Sequence, residues 1–227
     1  DSTLAKSVGS MLSENNVDHF RVIFSIQFRR ILYFLLPISI ALILLRAHIV
    51  RVVLGAGLFD WEATILTAQA LGLFALSIWA QGLTPLLARS FYAVEDTATP
   101  VTVSLIDIAL TIALAIWFSG SFGILGLVLA KTIASIISVG ILFVKLHRRF
   151  GGLNDVELLK STSRILTISL VSGAITYLML QITAGIFDGR TFVGIFAQGF
   201  TSGIAGISIY LLMTILLKFD EVRVVRQ

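Results

Sequence analysis

Cysteine is absent from this sequence of 227 residues, which excludes disulfides, thiolate catalysis and cysteine-based zinc or iron–sulfur sites. Charge is scarce as well. Asp, Glu, Lys and Arg make up 13% of the chain, about half the roughly 25% usual in globular proteins, whereas 57% of the residues are hydrophobic. A water-soluble domain cannot cover its surface with so few charges bunched into short stretches. Catalytic signatures are missing too. The three histidines, His19, His48 and His147, fall on separate loops or span ends, and the chain contains no H-E-x-x-H, no G-x-S-x-G turn and no phosphate-binding G-x-x-x-x-G-K-S/T loop. Enzymatic readings are therefore set aside, with no cofactor, metal or nucleic acid expected.

Six apolar runs are present, each bounded by charges or turn residues. A helix needs about 20 such residues to cross the roughly 30 Å hydrocarbon layer. They are Ile31–Leu45, extendable through mixed residues to Leu54, then Thr64–Leu87, Val101–Phe118, Phe122–Val144, Ile165–Ile186 and Phe192–Leu217. The runs are too long for barrel strands and lack two-residue alternation. The expected fold class is all-α, a polytopic membrane bundle of six transmembrane helices. Turns are expected at Gly55-Ala-Gly57 with Asp60, at Glu95-Asp96 before Pro100, and at Ser119-Gly-Ser-Phe-Gly123; Pro37 and Pro85 are candidates for kinks. Pro100 suits a first helical turn, capped by Thr97 or Thr99.

Thirteen basic residues fall on one side of these spans: Lys6, Arg21, Arg29, Arg30, Arg89, Lys145, Arg148, Arg149, Lys160, Arg164, Lys218, Arg223 and Arg226. Arg46, Arg51 and Arg190 fall on the other. Short cytoplasmic loops accumulate bases, so both ends are expected in the cytoplasm. The chain then divides into a cytoplasmic lead-in (1–30), four spans (31–144), a basic cytoplasmic connection (145–164), a final pair of spans (165–217) and a tail (218–227). Within the lead-in, Val17, Phe20, Phe24, Ile26 and Phe28 among polar groups predict an amphipathic helix at the membrane interface, with Arg29 and Arg30 meeting anionic headgroups.

Two charges fall inside spans, where an ionised group costs about 2.5–3.5 kcal/mol on insertion scales. Asp107 lies seven residues into the third span and Lys131 about ten into the fourth, entered from the opposite face. At 1.5 Å per residue their depths differ by roughly 5 Å, within reach of a lysine side chain. An Asp107–Lys131 ion pair is expected, either fixing one hairpin or lining a transport path. Gly199, Gly203 and Gly206 form a small-residue face on the last span that lets helix backbones approach.

Residues 89–104, RSFYAVEDTATPVTVS, resemble a recurring pattern of the bacterial lipid II flippase family MurJ, also called MviN, through Arg89, Phe91, Tyr92, Ala93, Asp96, Thr97 and Pro100. The stretch LAKSVGSMLSENN and the following LLPISIAL with Pro37 are similar to the region entering that family's ninth helix. This resemblance implies helices nine to fourteen of a fourteen-helix, two-lobed transporter of the bacterial inner membrane, with both termini cytoplasmic. Its last two helices border a groove suited to a lipid tail. It also implies a lipid-linked peptidoglycan precursor as cargo, carried from inner to outer leaflet by alternating access, with membrane lipids and the protein's N-terminal lobe as partners. The family's cavity arginines belong mainly to parts preceding Asp1, and the chain, opening on Asp1, is expected to be a segment of a longer polypeptide. The 89–100 motif reads either as a cytoplasmic gate or as a turn in which Asp96 and Thr97 cap the next helix while Phe91 and Tyr92 anchor at the interface. Two other readings stay open: a related exporter of polysaccharide units or drugs, and a stand-alone six-helix pore or structural protein.

Overall fold

The computed structural model describes residues 14–54, 61–189 and 191–217. The expected turn at Gly55–Asp60, Arg190 and the tail 218–227 lie outside the described residues. Among the described residues seven helices follow one another: α1 (Glu14–Leu54), α2 (Trp61–Ala75), α3 (Ile78–Tyr92), α4 (Ala98–Phe122), α5 (Ile124–Phe150), α6 (Asp155–Ala184) and α7 (Phe192–Leu216). With α2 and α3 counted as one discontinuous crossing, they supply six segments long and apolar enough to span a membrane. No strand occurs among the described residues. The helix α1 is the hub, packing against α2, α3, α6 and α7, while α4 leans chiefly on α5 at the edge of the bundle. On α4 only Pro100 and Val103 are buried, as suits a helix whose apolar surface faces lipid.

Two expectations change at α1. It is one helix of 41 residues that runs through Arg46, His48 and Arg51, where the apolar run was interrupted. The aromatic face of its first turns packs on protein. Phe20 stacks on Phe150 at 4.3 Å, Phe24 is buried, and Phe28 meets Phe143 at 5.7 Å, so the aromatic face is covered by α5. Arg29 pairs with Glu157 at 2.8 Å rather than pointing to lipid headgroups, and Arg21 bonds the Phe150 carbonyl. The aromatic residues of the amphipathic pattern are met by protein, whereas Val22 and Ile23 on the same turns are exposed. The basic connection of 145–164 is also mostly helical: α5 and α6 extend into it, leaving a turn at Gly151–Asn154 in which Gly151 (φ 63°) caps α5.

Hydrocarbon offers no partner for a free backbone carbonyl, so every break in a helix ladder needs a donor from a neighbour. Pro37 has no N–H for the Tyr33 carbonyl one turn earlier. The Tyr210 hydroxyl of α7 donates to that carbonyl at 2.7 Å, and α1 continues through Pro37 as a helix. The second crossing breaks at Leu76–Ser77 and not at Pro85, which stays inside α3. There the Ser77 amide turns to the Phe74 carbonyl at 3.0 Å, freeing Leu73, whose carbonyl accepts from the Thr132 hydroxyl of α5 at 3.0 Å. Both joints are closed by a hydroxyl on another helix.

Candidate functional site

The polar centre of the bundle is built on the break between α2 and α3. One residue before Thr132 on α5, Lys131 Nζ lies 2.6 Å from Asp107 Oδ2 of α4. Ser138, two turns further along α5, donates to Asp107 Oδ1 at 3.1 Å, so each carboxylate oxygen has a donor. A cavity of about 320 Å³ opens beside the pair, lined by Gln81 and Thr84 of α3, Ser104 of α4 and Ser135 of α5. Gln81 is held by Ser77 at the break itself, its amide nitrogen 2.8 Å from the serine oxygen. The α4–α5 hairpin that carries the pair turns at Gly123, and Gly126 sits so close to Phe118 that a Cβ there would stand 2.6 Å from a carbonyl oxygen. Chemically the arrangement is a carboxyl–amine pair in a polar chamber between membrane-spanning helices, with no third titratable group among the residues lining it.

The glycines of α7 build a second feature. Gly206 faces α6, where an added Cβ would meet the Thr176 hydroxyl at 2.0 Å, and the Gly206 carbonyl accepts from Ser172 at 2.7 Å. Gly199 and Gly203 instead face α1, against His48 and Leu45. The small-residue face thus serves two neighbours rather than one, and α7 is wedged between α1 and α6. Along the seam of the three helices runs an apolar groove of about 360 Å³, bordered by Phe34, Ile38 and Leu45 of α1, Gly173 of α6, and Gly203 and Ile207 of α7.

At the basic end of the bundle, the 89–100 motif forms the turn from α3 to α4. Asp96 Oδ1 accepts from the Thr99 amide and Oδ2 from the Thr99 hydroxyl, each at 2.9 Å, so Asp96 is the cap. The Thr97 side chain makes no capping bond. These bonds, followed by the charges of Arg149 and Lys145, hold the Asp96 carboxyl below its ordinary pKa. Arg149 Nη1 lies 2.6 Å from Asp96 Oδ2 and ties the turn to the end of α5. Phe91 is corrected from an interfacial anchor to a core residue, 1% exposed, whereas Tyr92 is half exposed and Arg89 is exposed on the last turn of α3. Pro100 is buried in the first turn of α4.

The structure carries α1 as a helix through Arg46, where the apolar run was interrupted, and sets its side chain against α2. Arg51 stacks on Trp61, 5.1 Å from the ring centroid, and a tryptophan at a helix end marks a membrane–water interface. Arg46 is more than one turn below that level, and its side chain reaches further in, beside Gly72. The clue available from sequence was the continuation of helical residues to Leu54.

The family model described as "Lipid II flippase MurJ" matches residues 4–197. A probable lipid II flippase MurJ of Rhizobium tropici is 34% identical over 151 residues, covering 66% of this chain and 28% of that protein. Another, of Thermotoga maritima, is 27% identical over 190 residues, 84% of this chain and 36% of the relative. A solved lipid II flippase MurJ in an inward closed conformation superposes with a TM-score of 0.71 at 25% identity, over 93% of this chain and 42% of that structure. The chain therefore spans about a third of the length of these curated relatives. With six apolar crossings in the fold of that solved transporter, this multi-pass membrane chain belongs to the lipid II flippase MurJ family.

Proposed function

We propose that the chain forms the C-terminal portion of a flippase for a lipid-linked peptidoglycan precursor, carrying it from the inner to the outer leaflet of the bacterial inner membrane. The observation that carries this reading is the apolar groove along α1, α6 and α7, in a chain whose relatives are named lipid II flippases. Such a cargo is a long isoprenoid joined through a diphosphate to a sugar–peptide head. The groove offers the isoprenoid an almost wholly apolar wall. The diphosphate cannot cross hydrocarbon unassisted, for the reason that makes Asp107 and Lys131 costly there, so it needs a wet path between two lobes that open alternately.

In this mechanism the chain is part of a transporter and not an enzyme. The preceding part of the same protein supplies the other wall of the path. The excess of bases at the end where α1 begins and α3, α5 and α7 finish supports a cytoplasmic location for both ends. The Asp107–Lys131 pair serves as the internal joint that holds α4 against α5 while the lobe rocks, and the Asp96–Arg149 contact fastens the cytoplasmic turn. Expression of the intact gene product in a bacterium depleted of its own lipid II flippase should restore growth and the appearance of lipid II in the outer leaflet. Continued lysis with the protein correctly inserted would contradict the reading.

A further inference from the structure

The helices α5 and α6 are joined by the short turn at Gly151–Asn154, yet they diverge from it into the bundle: α5 packs along α2, α3 and α4, and α6 along α1 and α7. Between them lies a crevice of about 510 Å³, at the level where α5 passes from apolar to basic residues. Phe28 of α1, Phe143 and Val144 of α5, and Leu158 and Leu159 of α6 form its apolar wall. Leu158 is buried, whereas Val144 and Leu159 are 47% and 73% exposed, so the crevice opens on one side. The opening continues into the hydrocarbon layer. Ile136, Gly140, Val144 and Arg148 recur every four residues and share one face of α5, and all four are exposed. No atom lies within 4 Å of where a Cβ of Gly140 would stand. This open stripe is twelve residues long, about 18 Å from the basic end of the bundle toward the middle of the layer.

The charges at the head of the crevice say what fills it. Three bases stand in the last turn of α5. His147 Nδ1 lies 3.0 Å from Asp155 Oδ1, and Arg149 is committed to Asp96 at 2.6 Å on another side of the helix. Arg148, between them, lines the crevice and forms no ion pair among the described residues. Asp155 also lines it, and its carboxylate is the one held by His147. An apolar channel that starts at a free guanidinium and runs into the layer fits an amphiphile with an acidic head and a hydrocarbon tail, as basic pockets between membrane helices hold acidic phospholipid headgroups. The planar fork of an arginine matches phosphate oxygens in pairs. We infer that the α5–α6 crevice is a site for an anionic glycerophospholipid of the surrounding leaflet, with its phosphate on Arg148 and an acyl chain along Val144, Gly140 and Ile136. The crevice shares no lining residue with the α1–α6–α7 groove or with the Asp107 chamber, so this lipid is distinct from the proposed cargo.

The test uses the intact gene product, stripped of lipid in detergent and titrated with phosphatidylglycerol or phosphatidylcholine of the same acyl chains, with bound lipids counted by native mass spectrometry. One phosphatidylglycerol per chain should bind about fivefold more tightly than phosphatidylcholine, the size of one basic side chain's attraction to acidic lipid. Arg148→Gln should abolish that preference, and Arg148→Lys, with charge but no fork, should retain part of it. Gly140→Phe places a ring in open space, so it should leave the melting temperature of the lipid-free protein unchanged and remove the tightly bound lipid. Arg164 lies two residues beyond Thr162, which lines the crevice, and therefore faces away from it on α6; Arg164→Gln should keep the preference. A full preference in Arg148→Gln overturns the inference, and so does an equal loss in Arg164→Gln, which marks diffuse attraction to the basic end of the bundle. Unchanged lipid binding in Gly140→Phe overturns the placement of the acyl chain. Competition by sn-glycerol 3-phosphate as strong as by phosphatidylglycerol, or tighter binding of undecaprenyl phosphate that Gly140→Phe removes, overturns the assignment of the ligand. Loss of the phosphatidylglycerol preference leaves the proposed function standing, because the growth-rescue experiment reads that function separately.

Discussion

Two cavities of similar size, about 320 and 360 Å³, sit in the two halves of the bundle and are built by opposite means. Beside α4 and α5 the chain places full charges and holds them with each other. Between α1, α6 and α7 it places glycines and hydroxyls, with the hydroxyls that line the groove, those of Tyr33, Ser172, Thr176 and Tyr210, turned to a backbone carbonyl or another hydroxyl so that the groove wall stays apolar. Ser172 bonds Gly206, Tyr210 bonds Tyr33, and Thr183 lies 3.3 Å from Ser202. The difference teaches that polarity inside a membrane protein is decided by where a polar side chain spends its hydrogen bonds more than by how many such side chains are present.

The sharpest way to break this contrast is at the charges. Asp107→Leu or Lys131→Leu leaves one ion unpaired in the bundle and should destabilise it by about 3 kcal/mol, measured by unfolding in detergent micelles. Exchanging the two charges should recover most of that loss; a double variant no better than either single one removes the pair from the account. In the apolar half, Gly206→Val drives a side chain into Thr176 and should cost about 2 kcal/mol. Combining it with Thr176→Ala should return part of the stability, because the clash is with that hydroxyl.

A smaller effect sharpens the role of the hydroxyls. Tyr210→Phe leaves the Tyr33 carbonyl without its donor and should cost about 1 kcal/mol, as single hydrogen bonds between membrane helices do. In a Pro37→Ala background the loss should shrink, since residue 37 then supplies the missing N–H. The smallest effect belongs to the turn from α3 to α4. Asp96 has its carboxyl pKa depressed in the folded chain, so its contribution is present above the unfolded value of about 4 and is lost as pH falls through the lower folded value. Hydrogen exchange at the Thr99 amide should stay protected from pH 7 down to about 4 and weaken only below it, whereas Asp96→Asn should weaken it throughout.

Much of this architecture was readable from residues alone, for identifiable reasons. Six crossings follow from the length of apolar runs, and the contact of Asp107 with Lys131 follows from their depths on two antiparallel helices joined by a short turn. The break at Leu76–Ser77 was not readable. No proline or glycine marks it, and it is held by Thr132, 59 residues away from the carbonyl it satisfies. The partner of Phe20, Phe24 and Phe28 was equally hidden, because an amphipathic pattern reports that an apolar face is covered and not whether lipid or protein covers it. Phe91 shows the same ambiguity one residue from an exposed aromatic. The contact of Arg46 with Gly72 was hidden as well, because an arginine at the end of an apolar run does not say which neighbouring helix its side chain will meet.

The division of labour between the two cavities is tested most directly by photo-crosslinking. An undecaprenyl diphosphate carrying a diazirine on its isoprenoid tail, bound to the intact protein and irradiated, should label peptides containing Ile38–Ile49 and Gly203–Leu211. Labelling concentrated instead at Ser104–Ile108 and Ser135–Leu142, beside Asp107 and Lys131, would contradict the account.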